Sequence, residues 1–177
     1  MEKSYKEYLK HISTFIFDVD GVLTDGTINV NTDGEMFRTM NIKDGYGLKT
    51  AIEQGYRICI ISGGTNEGVR VRLQNLGIKD VFLGAHNKTE ILENYLKTNN
   101  LKRENVLYMG DDLPDYEIMQ EVGLPTCPQD AVPEIKAISK YVSHKKGGKG
   151  CVREVIEQVL KVQGKWIITS GASAKYD

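Results

Sequence analysis

The sequence predicts an α/β domain built on a doubly wound, Rossmann-like parallel sheet, with one β-hairpin inserted after the first strand. Short apolar runs of strand length recur at 15–17, 57–61, 81–83, 105–109 and 125–127. Between most of them lie segments of ten or so residues with apolar positions at helical spacing, the connection that parallel strands require. Several runs stop abruptly at acids, Ser or Gly, and in a doubly wound sheet the carboxyl ends of strands are where ligands bind. The 177 residues suffice for one such domain with a full core. We expect that core over about 13–163, the hairpin over about 26–41 and a tail over 164–177.

Residues 1–12 place Tyr5, Tyr8, Leu9 and Ile12 at helical spacing and read as a lead-in helix packed on the sheet. Phe15-Ile16-Phe17 then forms a buried strand that ends in Asp18-Val19-Asp20-Gly21, the Gly allowing a sharp turn. At that strand end both acids can approach one polar crevice, and two acids there need a cation. Polar and apolar residues alternate over 27–32 and 35–40 around an Asp33-Gly34 turn signal, which predicts the hairpin. Its apolar set, Ile28, Val30, Met36 and Met40, is more than a free hairpin should expose, so a second subunit is expected to cover it. A helix from Asp44 closes at Gly55, a strand runs over 57–61 to Ser62-Gly63, and a helix over 65–76 stops at Gly77. A strand at 81–83, a helix over 88–97 and a strand over 105–110 follow, the last ending in Asp111-Asp112-Leu113-Pro114-Asp115. The remaining elements are a strand at 125–127, a helix over 131–138, a strand at 141–143 and a helix over 151–162.

A formal net charge of −1 provides no global basic field for nucleic acid or an anionic membrane. Three unclustered cysteines without C-x-x-C spacing favour reduced thiols and a cytoplasmic protein. The first residues lack an apolar core, and no stretch approaches the roughly 20 apolar residues that span a bilayer. His11, His86 and His144 are scattered and are given no catalytic role. The spacing around Gly147 to Gly150 is not that of a Walker loop.

Four successive strand ends or helix starts carry polar chemistry: Asp18 with Asp20, Ser62, Lys88, and Asp111 with Asp112 and Asp115. In this order they resemble the four motifs of the haloacid dehalogenase-like phosphohydrolase superfamily, over about 14–162. The chemistry accounts for the residue types. A phosphate dianion repels a carboxylate nucleophile by about 4 kcal/mol per unit-charge pair at 4 Å and an effective dielectric near 20, so a divalent cation and a lysine must offset it. The resemblance implies that Asp18 attacks phosphorus to give an aspartyl phosphate and that Asp20 acts as general acid and then base. It implies Mg2+ held by the Asp18 carboxylate, the Asp20 main-chain carbonyl and Asp111. Ser62 and Lys88 would stabilise the phosphoryl group, with Gly63 and Gly64 beside it, while Asp112 and Asp115 would orient waters, Lys88 or backbone. Asp115 has another reading, as an acid favouring the helix dipole after Pro114.

The gaps between motifs leave no room for a cap domain. The Asp18 to Gly26 stretch, the hairpin, Asn41-Ile42-Lys43-Asp44-Gly45-Tyr46-Gly47 and the Gly147 to Glu154 segment are similar to the 3-deoxy-D-manno-octulosonate 8-phosphate phosphatase family. That similarity implies a sugar-acid phosphate substrate in lipopolysaccharide precursor synthesis, a homotetramer formed through the hairpins, and a tail that can cover a neighbour's site. Lys43 departs from the family's Arg. Because the substrate carries a carboxylate, Arg70 and Arg72 are expected at the pocket rim, facing this site or a neighbour's. Alternatives are a capless phosphatase for a nonulosonate 9-phosphate or other small sugar phosphate and, from a different class, a phospho-accepting receiver or scaffold module. A receiver has no need of Asp20.

Overall fold

The computed structural model describes residues 4–166. At its centre is β1 (Thr14–Phe17), four residues buried on both faces. Alternation sends Phe15 and Phe17 into one hydrophobic cluster and Ile16 into a second across the sheet. β1 pairs in parallel with β4 (Arg57–Ile61) and β6 (Val106–Met109), Phe17 lying opposite Ile60 and Met109. With β5 (Asp80–Phe82), β7 (Leu124–Cys127) and β8 (Tyr141–Val142) the sheet has six strands in the order β5-β4-β1-β6-β7-β8. The chain works outward from β1 through β4 to β5, then returns to the far side of β1. The carboxyl ends of β1, β4 and β6 therefore meet at the topological switch point, where such sheets bind ligands.

One face is covered by α1 (Tyr5–Leu9), α2 (Ile42–Glu53), α3 (Glu67–Asn75) and α7 (Cys151–Val162), through Leu9, Leu48, Leu73 and Ile156. The other is covered by α4 (Lys88–Thr98), α5 (Tyr116–Gln120) and α6 (Pro133–Ile138), through Leu92, Ile118 and Ile135. Asparagine caps start three of these helices: Asn41, Asn66 and Asn87 accept from Lys43 N, Val69 N and Glu90 N at 2.8, 3.2 and 3.1 Å. All three cysteines are free and buried. Among the described residues, no helix is long and apolar enough to cross a membrane.

The hairpin is shorter than the alternation suggests, with two residues in each of β2 (Asn29–Val30) and β3 (Met36–Phe37). Asp33-Gly34 does not form a two-residue loop. The Gly34 amide donates to the Asn31 carbonyl, the Asn31 amide to the Glu35 carbonyl, and the Asn31 side chain accepts from Asp33 N and Glu35 N. This is the three-residue loop in which a left-handed glycine ends the turn, here Gly34 at φ 81°. Ile28, Val30, Met36 and Phe37 remain exposed, Val30 by 64% and Phe37 by 53%, while Met40 packs on the core. Most of the expected tail, residues 167–177, lies outside the described residues, as do residues 1–3.

Candidate active site

β1 delivers the first acid. The Asp18 amide prolongs the parallel ladder by donating to the Met109 carbonyl at 3.1 Å, and its carboxylate accepts from Val19 N at 2.7 Å. The chain then makes one wide turn over Val19–Leu23, its backbone non-helical at Asp20 and Gly21, closed by the Thr24 amide on the Val19 carbonyl. Gly21 is required twice in that turn. Its φ is 86°, and a Cβ there would collide with the Asp111 carboxylate.

The second and third strand ends close on the same point. Ser62, beyond β4, is held by main-chain bonds to Phe82 and Ala85, and its hydroxyl accepts from Gly64 N at 3.2 Å. Lys88 is the first residue of α4, which brings its ammonium between two carboxylates, 3.1 Å from Asp18 Oδ2 and 2.7 Å from Asp115 Oδ1. Beyond β6, Asp111 lies beside Asp18, and Asp112 caps a short helical turn through Leu113 N at 2.8 Å. Asp115 is buried; it accepts from Tyr108 Oη at 2.6 Å, from Lys88, and from Asp111 N at 3.2 Å. Both its oxygens are thus committed to the site, and it makes no side-chain cap to α5.

A cavity of about 370 Å3 opens over this cluster, within the size range of small-molecule sites. Asp18, Asp20, Ser62, Gly63, Gly64, Lys88, Asp111, Asp112 and Asp115 all line it, with His86 at its edge. Arg70 and Arg72 do not. Arg70 is drawn away by Glu67 at 3.2 Å and the Val81 carbonyl at 2.8 Å, and Arg72 lines a separate groove with Met36, Phe37, Met40 and Ile42. Within one chain, therefore, neither arginine stands at the cavity rim: two residues apart on α3, they leave opposite sides of the helix, Arg70 toward β5 and Arg72 toward the hairpin groove.

Two groups in the site were not marked by sequence reasoning. Tyr108 sits inside an apolar strand run, yet its hydroxyl holds Asp115. Arg38 follows β3 and grips Asp20 with both prongs, Nε to Oδ1 at 2.7 Å and Nη2 to Oδ2 at 3.1 Å. Nothing local signals it, since an arginine at a polar position of a hairpin ordinarily faces solvent.

The electrostatics call for a cation. Carboxylate oxygens of Asp18, Asp111 and Asp115 lie within 4.8 Å of one another, and Lys88 is the ammonium that Asp18 and Asp115 share. Burial first, then the charge of Asp115, pushes the Asp18 carboxyl up to about 7 against the opposing pull of Lys88. Burial, then the charges of Asp18, Asp115 and Asp112, pushes Asp111 up to about 8. Burial also opposes the Lys88 charge, but Asp18 and Asp115 outweigh it and hold its pKa above the ordinary value. An all-oxygen acidic pocket short of positive charge suits a hard divalent cation.

Acids, a hydroxyl and a lysine gathered at the switch point of this sheet define a hydrolase of the haloacid dehalogenase type. The family model for haloacid dehalogenase-like hydrolases matches residues 77–156. The chain is 38% identical to 3-deoxy-D-manno-octulosonate 8-phosphate phosphatase KdsC of Salmonella typhi over 164 residues, 93% of this chain and 87% of that protein. Among solved structures, the 3-deoxy-D-manno-octulosonate 8-phosphate phosphatase of Yersinia pestis superposes with a TM-score of 0.90 at 34% identity, covering 93% of this chain and 89% of that one. The Moraxella catarrhalis phosphatase of the same name, solved with magnesium, phosphate and KDO, gives 0.89 at 34% identity, covering 92% and 93%. The chain belongs to the haloacid dehalogenase-like hydrolases, among the phosphatases of that family and in the branch of these relatives.

Proposed function

We propose that this phosphatase hydrolyses 3-deoxy-D-manno-octulosonate 8-phosphate to the free sugar acid and phosphate, with Mg2+ as its ion, through an aspartyl phosphate on Asp18. The observation that carries the mechanism is the Lys88 ammonium shared by Asp18 and Asp115 beside Asp111. The substrate reading rests on the named relatives. Asp18, Asp111 and the main-chain carbonyl of Asp20 would hold the ion, which supplies charge neutralisation between nucleophile and phosphate.

The residues divide the work by position. Lys88, fixed from behind by Asp115 and Tyr108, keeps Asp18 oriented and lowers its repulsion for the incoming phosphate. Asp18 attacks phosphorus, and Asp20 protonates the departing oxygen; Asp20 then takes a proton from the water that hydrolyses the acyl phosphate. Ser62 and the Gly63-Gly64 backbone line the side of the cavity where phosphoryl oxygens would be received. Asp112 caps the turn that presents Asp111. The exposed apolar hairpin is the surface through which a homotetramer would form in the cytoplasm, and residues 164–177 or Arg70 and Arg72 of a neighbour would then complete the open cavity.

The test is phosphate release with Mg2+ across the eight-carbon acid, a nonulosonate 9-phosphate, hexose phosphates and p-nitrophenyl phosphate. Strong preference for the eight-carbon acid, lost in Asp18→Asn, is expected. Flat turnover would overturn the substrate while leaving the phosphatase chemistry, and no turnover would favour a phospho-accepting module.

A further inference from the structure

Arg38 is the buried cation at the site for which the reaction above has no use. It leaves the hairpin one residue after β3, and its side chain is 8% exposed, with two nitrogens on Asp20. The third, Nη1, is buried without a hydrogen-bond partner among the described residues. An unpaired buried N–H costs on the order of 1–3 kcal/mol, so the guanidinium is held in place by its fork on Asp20 and not by a ring of other partners. Room for the pair is built in. A Cβ on Gly64 would lie 3.3 Å from Asp20 Oδ2 and 3.4 Å from Arg38 Nη2, pressing on both. The hairpin is latched beside it, the Asn66 side chain at the start of α3 donating to the Met36 carbonyl at 3.0 Å.

We propose that Arg38 is a positioning residue for Asp20, fixing the carboxyl in the orientation from which it serves the departing oxygen, and that the hairpin is thereby part of the catalytic apparatus. This rests on the reading of Asp20 as the proton donor. In the first half-reaction the Asp18–phosphorus bond forms, the bond from phosphorus to the sugar oxygen breaks, and the Asp20 proton passes to that oxygen. The carboxylate left behind accepts both prongs of Arg38. In the second, water adds to phosphorus, gives its proton to Asp20, and Asp18 departs as carboxylate.

The experiment compares first-turnover release of two leaving groups by the Mg2+-loaded full chain in rapid quench. A sugar phosphate releases a poor alkoxide that needs the proton; p-nitrophenyl phosphate releases a stable phenolate that does not. General acid catalysis is worth about 10²–10⁴-fold, so Arg38→Met should lower the alkyl-to-aryl rate ratio by about tenfold or more through kcat with little change in KM, and Arg38→Lys should recover part of it. An unchanged ratio in folded Arg38→Met overturns the proposal, whatever the absolute rates. If Arg38→Met does not fold, Arg38→Gln is read in the same way. Asp20→Asn run in parallel separates the two ideas. A ratio that falls there but not in Arg38→Met removes only the role of Arg38, whereas a ratio unchanged in Asp20→Asn removes the proton donor and the proposal with it.

Discussion

Removing divalent metal should make this protein less stable as pH rises from 6 to 8, and saturating Mg2+ should abolish that trend. The magnitude comes from Asp18 and Asp111, whose carboxyls sit near 7 and 8 in the fold against an unfolded value near 3.8. Raised carboxyl values mean that the folded state binds protons the unfolded chain has already lost, so stability declines with pH from about 4 until the folded values are passed. Between pH 6 and 8, at about 1.36 kcal/mol per proton per pH unit, Asp18 alone contributes a fall of about 1.4 kcal/mol and Asp111 alone about 2.3. The two repel each other and share Lys88, so together they are worth roughly 2–4 kcal/mol, or about 5–15 °C in Tm for a chain of this size. The assay is thermal and urea unfolding of chelator-treated protein at both pH values, with and without saturating Mg2+. Bound metal favours the ionised acids, so its stabilisation should be larger at pH 8 than at pH 6. Asp111→Asn should flatten much of the metal-free slope. Chelated protein equally stable at both pH values, or more stable at pH 8, would refute the reasoning, because the acids would then be satisfied without a cation.

Gly21→Ala forces an L-residue to φ 86° and drives its Cβ into Asp111; a loss of about 1–3 kcal/mol in urea unfolding and weaker Mg2+ binding by calorimetry are expected. Wild-type binding would count against the tight turn. Asp44, in the first turn of α2 and buried against α7, accepts from Arg153 N at 2.7 Å through one oxygen while the other has no partner among the described residues, and burial pushes its carboxyl up to about 6. Between pH 4 and 6 Asp44 therefore costs the fold about 2 kcal/mol, and Asp44→Asn should make the urea midpoint profile shallower by that amount. Matching profiles would contradict it. Val30→Lys, on the exposed hairpin, should shrink the proposed homotetramer in sedimentation without changing the circular dichroism of the fold. An unaltered assembly would place the subunit interface elsewhere.

The sheet and most of the site were legible because their signals are local. Phe15-Ile16-Phe17 followed by Asp-x-Asp-Gly announces a buried strand with acids at its end, and Gly110-Asp111-Asp112 repeats the device. Once the topology is doubly wound, those ends have to converge. Lys88 was legible for the same reason, as the first residue of a helix that begins beside the crevice. Asp115 was ambiguous because Pro114 makes it look like a helix-start acid; only the fold shows Tyr108 and Lys88 bound to it. Arg38 was invisible because its partner is eighteen residues away and reached only when the hairpin folds back over the first turn. The hairpin's strands were overestimated because alternation reports which residues could share a face, and none of the described residues buries that face. For Arg70 and Arg72 the periodicity of a helix fixes spacing but not rotation, and the rotation observed points them away from the acids.

The central claim is that Asp18 becomes phosphorylated. Its most direct test is acid quench of Asp20→Asn, which would lack the base proposed for the second step, after mixing with p-nitrophenyl phosphate and Mg2+, followed by mass spectrometry of the peptide that holds residues 14–24. One phosphoryl group on Asp18, appearing with the burst of p-nitrophenolate and absent in Asp18→Asn, is the expected result. A burst with the label on another residue, or steady turnover by the variant in which Asp18→Asn is the single change, would contradict it.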